Sequence, residues 1–258
     1  MEEKMDLLLK NGLVVTENEC KRVDIAVKNG KIAGLLERGS KTCCSEKEID
    51  CQGKVILPGA IDTHSHFFEP GEPSKYRDDF YTATMAAAAG GYTTCIEMPQ
   101  SIPPVVNKEA FLLKKKLATE KAVVDFALWG GLVPSSLDKI KELKEEGCVA
   151  FKAFTSDAGP DYEMCSDYDL LEGMKIVKAV GGLVGIHAEN DSICRKMTEY
   201  YRGMKTICPE YHEASRPWYA ELEAVSRCIL WSRITECPVM ICHLSIPEGA
   251  EQIKKEKE

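Results

Sequence analysis

From Val55 onward the sequence alternates short apolar runs with longer amphipathic stretches, and few folds accommodate that alternation. Strand candidates are Ile56 to Asp62, Thr93 to Met98, Val123 to Trp129, Val149 to Phe154, Leu183 to His187 and Val239 to His243. Helix candidates lie between and after them: Tyr76 to Ala89, Lys108 to Thr119, Ser136 to Glu146, Tyr168 to Val180, Asp191 to Arg202, Trp218 to Ile234 and Pro247 onward. Strands and helices in strict succession make βαβ units and a parallel sheet. Local signals agree: Ser135-Ser136 ahead of Lys139-Ile140 reads as a capped start, and Gly90-Gly91 and Gly147 fall where helices should stop. The expected fold is α/β, an incomplete TIM-like (β/α)8 barrel of about six units, since a closed barrel needs about two more. The final Lys254-Lys255-Glu256-Lys257-Glu258 reads as helix surface with no stop signal.

Residues 6 to 57 follow a different pattern. Short apolar runs are separated by Asn11-Gly12 and Asn29-Gly30, two hairpin signals, which predicts a small antiparallel sheet. The expected division is a small β-sheet domain over 1–57, the N-terminal part of a composite β-sandwich, and a hydrolase-type barrel over 58–258. The apolar run Val55 to Ile61, broken only by Pro58-Gly59, reads as a buried strand.

A net charge of -8 and a pI near 5.3 argue against nucleic acid and against an anionic membrane surface as partners. The N-terminus lacks signal-peptide or transit character, and no apolar run reaches the roughly 18 residues that span a bilayer, so a cytoplasmic location is expected. Twelve cysteines are scattered without CxxC spacing. They read as buried, reduced, small hydrophobes, Cys43-Cys44 in a polar loop being the pair open to oxidation.

Chemistry concentrates at the strand ends. Asp62-Thr63-His64-Ser65-His66 closes the first barrel strand, and residues two apart on a strand face the same way, so His64 and His66 form a chelating pair. Lys152 lies inside the apolar strand Val149 to Phe154, where an unpaired ammonium is costly. His187 and His243 each end a further strand. One strand-end histidine is ordinarily a core or loop residue, but four strands that repeat the pattern converge on one pocket at the carboxyl ends of a parallel barrel. His212, in Glu210-Tyr211-His212-Glu213, reads as a surface or supporting residue. A lysine desolvated by its strand is neutral more often and can add carbon dioxide to give a carbamate able to bridge two metals. A snorkelling or ion-paired lysine is the alternative.

The stretch Pro58 to His66 with Glu69-Pro70-Gly71 resembles the amidohydrolase superfamily and, within it, the cyclic amidohydrolases. The likeness continues through Ala86 to Thr94, Glu97-Met98-Pro99, Gly130 to Val133, Phe151-Lys152, His187 to Asn190, Ala214 to Pro217 and Cys242 to Ser245. Phe68, where dihydroorotases carry arginine, and Asp157, where dihydropyrimidinases carry tyrosine, point to the allantoinase branch; dihydropyrimidinase or hydantoinase is the second choice. A non-catalytic dihydropyrimidinase-like scaffold protein is the alternative of another kind.

The resemblance implies two divalent metals, most often Zn2+, with His64 and His66 on one, His187 and His243 on the other, and Lys152, carboxylated by CO2, bridging them. It further implies hydrolytic ring opening of a cyclic amide, allantoin to allantoate, by a metal-bridged hydroxide. The small-molecule substrate would be allantoin or a related cyclic ureide, and the assembly a homotetramer. The family's general-base aspartate, at the end of the eighth strand, has no counterpart in this sequence, so little or no turnover and poor solubility are expected of the chain as written.

Overall fold

One long strand organises the N-terminal sheet. β1 (Met5–Lys10) and β2 (Leu13–Val15) both pair antiparallel with β3 (Cys20–Lys28), which also pairs with β4 (Lys31–Glu37). β5 (Ser45–Asp50) adds to β1 and β6 (Val55–Ile56) adds to β2, both in parallel, so the sheet is mixed and not purely antiparallel as expected. Asn29-Gly30 does form the predicted hairpin, with φ values of 52° and 71° and Lys28 opposite Lys31. Asn11-Gly12 does not. Asn11 takes φ 65°, but its backbone N–H donates to Asp24 Oδ1 at 2.8 Å, and the strands on either side of it both pair with β3 instead of with each other.

The computed structural model describes residues 4–39, 44–67, 69–71, 78–204 and 208–258. Its chain forms two compact units, Met1–Ala60 and Ile61–Glu258. Cys43, Phe68 and the start of the helix expected from Tyr76 lie outside the described residues.

The run Val55 to Ile61 is not one buried strand. It divides at Leu57-Pro58-Gly59: Val55 and Ile56 complete the small sheet, and β7 (Ala60–Ser65) begins a second. Pro58 supplies no N–H for a ladder, which accounts for the break. β7 is the outer strand of a sheet ordered β7, β8 (Tyr92–Glu97), β9 (Asp125–Leu128), and Ile61 on it is 59% exposed, not buried as the apolar run predicts. A parallel sheet follows, ordered β10 (Gly130–Gly131), β11 (Phe151–Phe154), β12 (Val184–His187), β13 (Val239–Ile241). Trp129 joins the two: its N–H donates to Glu97 O at 3.0 Å, while the next amide, Gly130, donates to Ala150 O at 2.9 Å. These strands and the intervening helices are the first part of an α/β barrel, as the alternation predicts.

The helices are α1 (Phe80–Ala89), α2 (Lys108–Lys121), α3 (Ile140–Glu145), α4 (Asp167–Ala179), α5 (Asp191–Arg202), α6 (Glu210–Ala214), α7 (Trp218–Thr235) and α8 (Pro247–Lys257). Asp79, Asn107, Ser166 and Asn190 cap α1, α2, α4 and α5 through side-chain oxygens. α3 differs from expectation. A 3-10 turn, Pro134–Lys139, precedes it, and neither has a side-chain cap because the cap positions are Val133 and Lys139; Ser135, inside the turn, donates its Oγ to Glu163 at 2.7 Å. α6 is a short helix in the segment read as polar. Phe80, Phe111, Phe151, Met174 and Val225 lie in the core between the sheet and the helices. Among the described residues no helix is long and apolar enough to cross a membrane.

The buried cysteines behave as small hydrophobes: Cys95, Cys148, Cys165 and Cys228 lie in that same core, and burial pushes the Cys148, Cys165 and Cys228 thiols up to about 12. Close packing also explains Gly185 on β12. A Cβ there would stand 2.7 Å from the Trp129 ring and 3.2 Å from Cys242 Sγ. Gly185→Ala is expected to destabilise the protein by about 1–3 kcal/mol through overpacking, read as a lower urea midpoint with an unchanged slope.

Candidate metal centre

Parallel pairing sets the site. Lys152 on β11 is in register with Gly131 on β10 and Gly185 on β12, so neither neighbouring strand brings a side chain alongside its stem. His187, the last residue of β12, is in register with Phe154 and stacks on its ring at 5.0 Å. His243 lies two residues beyond β13 with φ 38°, in the left-handed region that non-glycine residues seldom adopt. The turn is held on both sides: Cys242 N donates to Ile186 O at 2.9 Å, and Ser245 N donates to Glu221 Oε1 at 2.8 Å.

The four strand-end histidines come together as two pairs. His64 and His66 face each other through their Nε2 atoms at 3.1 Å, although His66 lies one residue past β7. His187 Nδ1 and His243 Nε2 are 3.2 Å apart. The pairs also meet, with the His64 and His243 rings 5.4 Å apart, edge to face. Lys152 is 1% exposed, and its Nζ lies 4.7 Å above the Phe154 ring. That nitrogen has no hydrogen-bond partner among the described residues. Burial pulls the amine below the ordinary lysine range, opposed by the Cys242 thiol beside it. His212 stands apart from these groups, exposed on α6, where it lines a cavity of about 610 Å3 with Tyr201, Arg202 and Arg216.

The imidazoles are kept neutral. Burial, and then the Lys152 charge, lower both His64 and His66 to about 4. His243 is lowered by burial, by His187 and by Lys152. Neutral imidazoles are the form that binds metal.

The donors fit a two-metal centre of a particular kind. Among the described residues no three His, Cys, Asp or Glu side chains converge on a single metal position. Two imidazoles are available for each of two positions, and the bare buried Lys152 amine is the group that could complete both, once carboxylated.

Two supporting groups were not assigned roles from sequence. Glu189 accepts from His187 Nε2 at 2.6 Å and is also bonded by Arg216 Nη1. Burial pushes the Glu189 carboxyl up, but the His187 hydrogen bond and the Arg216 charge outweigh it and hold it below the usual range. A proton on His187 Nε2 leaves Nδ1, the atom facing His243, free to coordinate. His187-Ala188-Glu189 was visible as a motif, and the spacing of two residues at a strand end was the available signal.

The other is a wholly buried ion pair. Lys114 Nζ lies 3.1 Å from Glu97 Oε1, and neither side chain is exposed. Lys114 is the first of three consecutive lysines, Lys114-Lys115-Lys116. However, it is four residues from both Ala110 and Ala118 and three from Phe111, all buried, so helical periodicity places it on the inner stripe.

An incomplete α/β barrel with histidines and a buried lysine gathered at the carboxyl ends of its strands has the layout of a barrel enzyme. The sequence matches the Amidohydrolase family over residues 55–256, and the chain belongs to that family. It is 36% identical to allantoinases of Escherichia coli strains HS and K12 over 98% of its length, covering 56% of theirs. Among solved structures it resembles the L-hydantoinase (dihydropyrimidinase) of Arthrobacter aurescens, with a TM-score of 0.91 and 33% identity over 98% of this chain and 56% of that one. It also resembles the dihydropyrimidinase of Brevibacillus agri, with a TM-score of 0.87 and 26% identity over 98% of this chain and 55% of that one. The chain therefore spans about half the length of the relatives it matches.

The Glu189 contact fixes one tautomer. Long-range proton–nitrogen NMR of the metal-free protein should show His187 protonated at Nε2 near neutral pH, and Glu189→Ala should abolish that preference.

Proposed function

We propose that the protein is a metal-dependent hydrolase that opens cyclic amides, with allantoin as the substrate and allantoate as the product. The observation that carries this reading is a buried lysine amine without a hydrogen-bond partner beside two pairs of opposed imidazoles. In this reading His64 and His66 hold one divalent ion, His187 and His243 hold the second, and Lys152, carboxylated by CO2, bridges them. When bound, two such ions supply a water activated near neutral pH and a Lewis acid for the scissile carbonyl.

The chain's own groups prepare that site. Burial raises the neutral fraction of the Lys152 amine, the form that adds CO2. His64, His66 and His243 are held neutral, so no proton has to leave them before they coordinate at pH 7. Glu189 orients His187, and Arg216 compensates the Glu189 charge. Gly131 and Gly185 leave the sheet positions flanking Lys152 without side chains.

Ring opening of hydantoin or a dihydropyrimidine is a second reading, favoured by the structural likeness to hydantoinases. Asp157 speaks for the first. Its backbone N–H donates to Asp191 Oδ1 at 3.2 Å and its own carboxylate accepts from Gly159, so the loop after β11 closes on carboxylates where the dihydropyrimidinase pattern has a tyrosine. The finer attributes of the proposal are zinc as the ion, a homo-oligomeric assembly, and a cytoplasmic setting in keeping with the buried thiols.

Metal analysis and a substrate panel test the proposal together. Reconstituted with zinc and bicarbonate, the protein should bind about two ions per chain. Lys152→Ala, or removal of bicarbonate, should lower zinc affinity by at least about tenfold. Turnover of allantoin, however slow, above that of hydantoin and dihydrouracil supports the first reading, and the reverse order supports the second. Full zinc occupancy in Lys152→Ala would remove the bridge.

A further inference from the structure

The Glu97–Lys114 pair lies beneath the His64–His66 edge, and burying two charges is hard to explain as a source of stability. The desolvation of a fully buried ion pair can exceed its attraction, and apolar side chains of similar volume often replace such pairs without loss. Its hydrogen bonds suggest another purpose. Glu97 Oε1 accepts from the backbone N–H of Phe67 at 3.0 Å, the residue immediately after His66. Lys114 Nζ donates to Met98 O at 2.6 Å, and Met98 N in turn donates to Ser65 O at 2.9 Å, the residue immediately before His66. Both flanks of His66 are therefore tied to β8 and its end, through groups that Lys114 fixes from α2.

β7 is the outer strand of its sheet, and His66 already lies past its last residue, so ladder hydrogen bonds alone do not hold this histidine. An ion pair can fix a backbone edge where two apolar side chains could not, since its oxygens and N–H groups bond backbone N–H and C=O directionally and, being charged, more strongly than neutral groups would. We propose that Glu97 and Lys114 are positioning residues that clamp the Ser65–Phe67 backbone so that His66 stays opposed to His64. The consequence for metal binding rests on the two-metal reading above; the clamp itself does not.

The test uses charge-neutral double variants, because removing one partner alone strands a buried charge. Glu97→Leu/Lys114→Met deletes the acceptor for Phe67, whereas Glu97→Gln/Lys114→Met restores it. In the metal-free protein, amide exchange at Phe67 should be about tenfold or more faster in the Leu/Met variant, and the His64 and His66 ring resonances should shift. The melting temperature should stay close to that of the unaltered protein, and the Gln/Met variant should recover Phe67 protection. With zinc, affinity should fall about tenfold in the Leu/Met variant and recover in part in the Gln/Met variant. Unchanged Phe67 exchange and ring signals in a folded Leu/Met variant would overturn the proposal. If the unaltered protein binds no zinc but the metal-free results hold, the clamp stands and the two-metal reading falls. Should the Leu/Met variant fail to fold, exchange in the unaltered protein decides: Phe67 exchanging as fast as an exposed turn amide would overturn the clamp.

Discussion

A lysine amine buried without a hydrogen-bond partner is the constraint around which the barrel unit is arranged. All four residues of β11 are buried, so Lys152 cannot reach solvent, and its neighbours in the ladder are glycines on both sides. Leaving a polar group in this condition is costly unless something else satisfies it. The groups gathered around it are imidazoles, an aromatic face and a thiol, and none of them supplies a carboxylate. An amine that is easily neutral, beside neutral nitrogen donors, suits covalent carboxylation and metal binding better than an ion pair.

The supporting charges are placed at one remove. Glu189 and Arg216 act on His187 through the nitrogen that faces away from His243. Glu97 and Lys114 act on the backbone either side of His66. In each case a cation from a neighbouring segment compensates the carboxylate, so the charges around the centre are paired.

Much of this was legible in sequence because it is periodic or local. Strand–helix alternation implied the parallel sheet, with His64, His66, His187 and His243 at the ends of its strand candidates and Lys152 within one. Readings failed where partners are distant. Asn11-Gly12 has the composition of a hairpin turn, but both flanking strands found β3, a longer partner. Val55 to Ile61 reads as one strand despite Pro58-Gly59, yet the chain breaks there and its halves serve different sheets. Lys114 was hidden in a run of lysines, and only its spacing from Ala110 and Ala118 marked it.

By itself, then, the sequence determined the order of elements, the parallel character of the barrel strands and which residues stand at their ends, since these follow from local periodicity and from the two-residue repeat of a strand. Only the tertiary structure decided which nitrogens of each histidine pair face each other, how closely the two pairs approach, and that Glu97 and Lys114 meet out of water. Those outcomes depend on register and on contacts between residues far apart in the chain, and no local pattern encodes the distance between two side chains that separate strands and helices bring together.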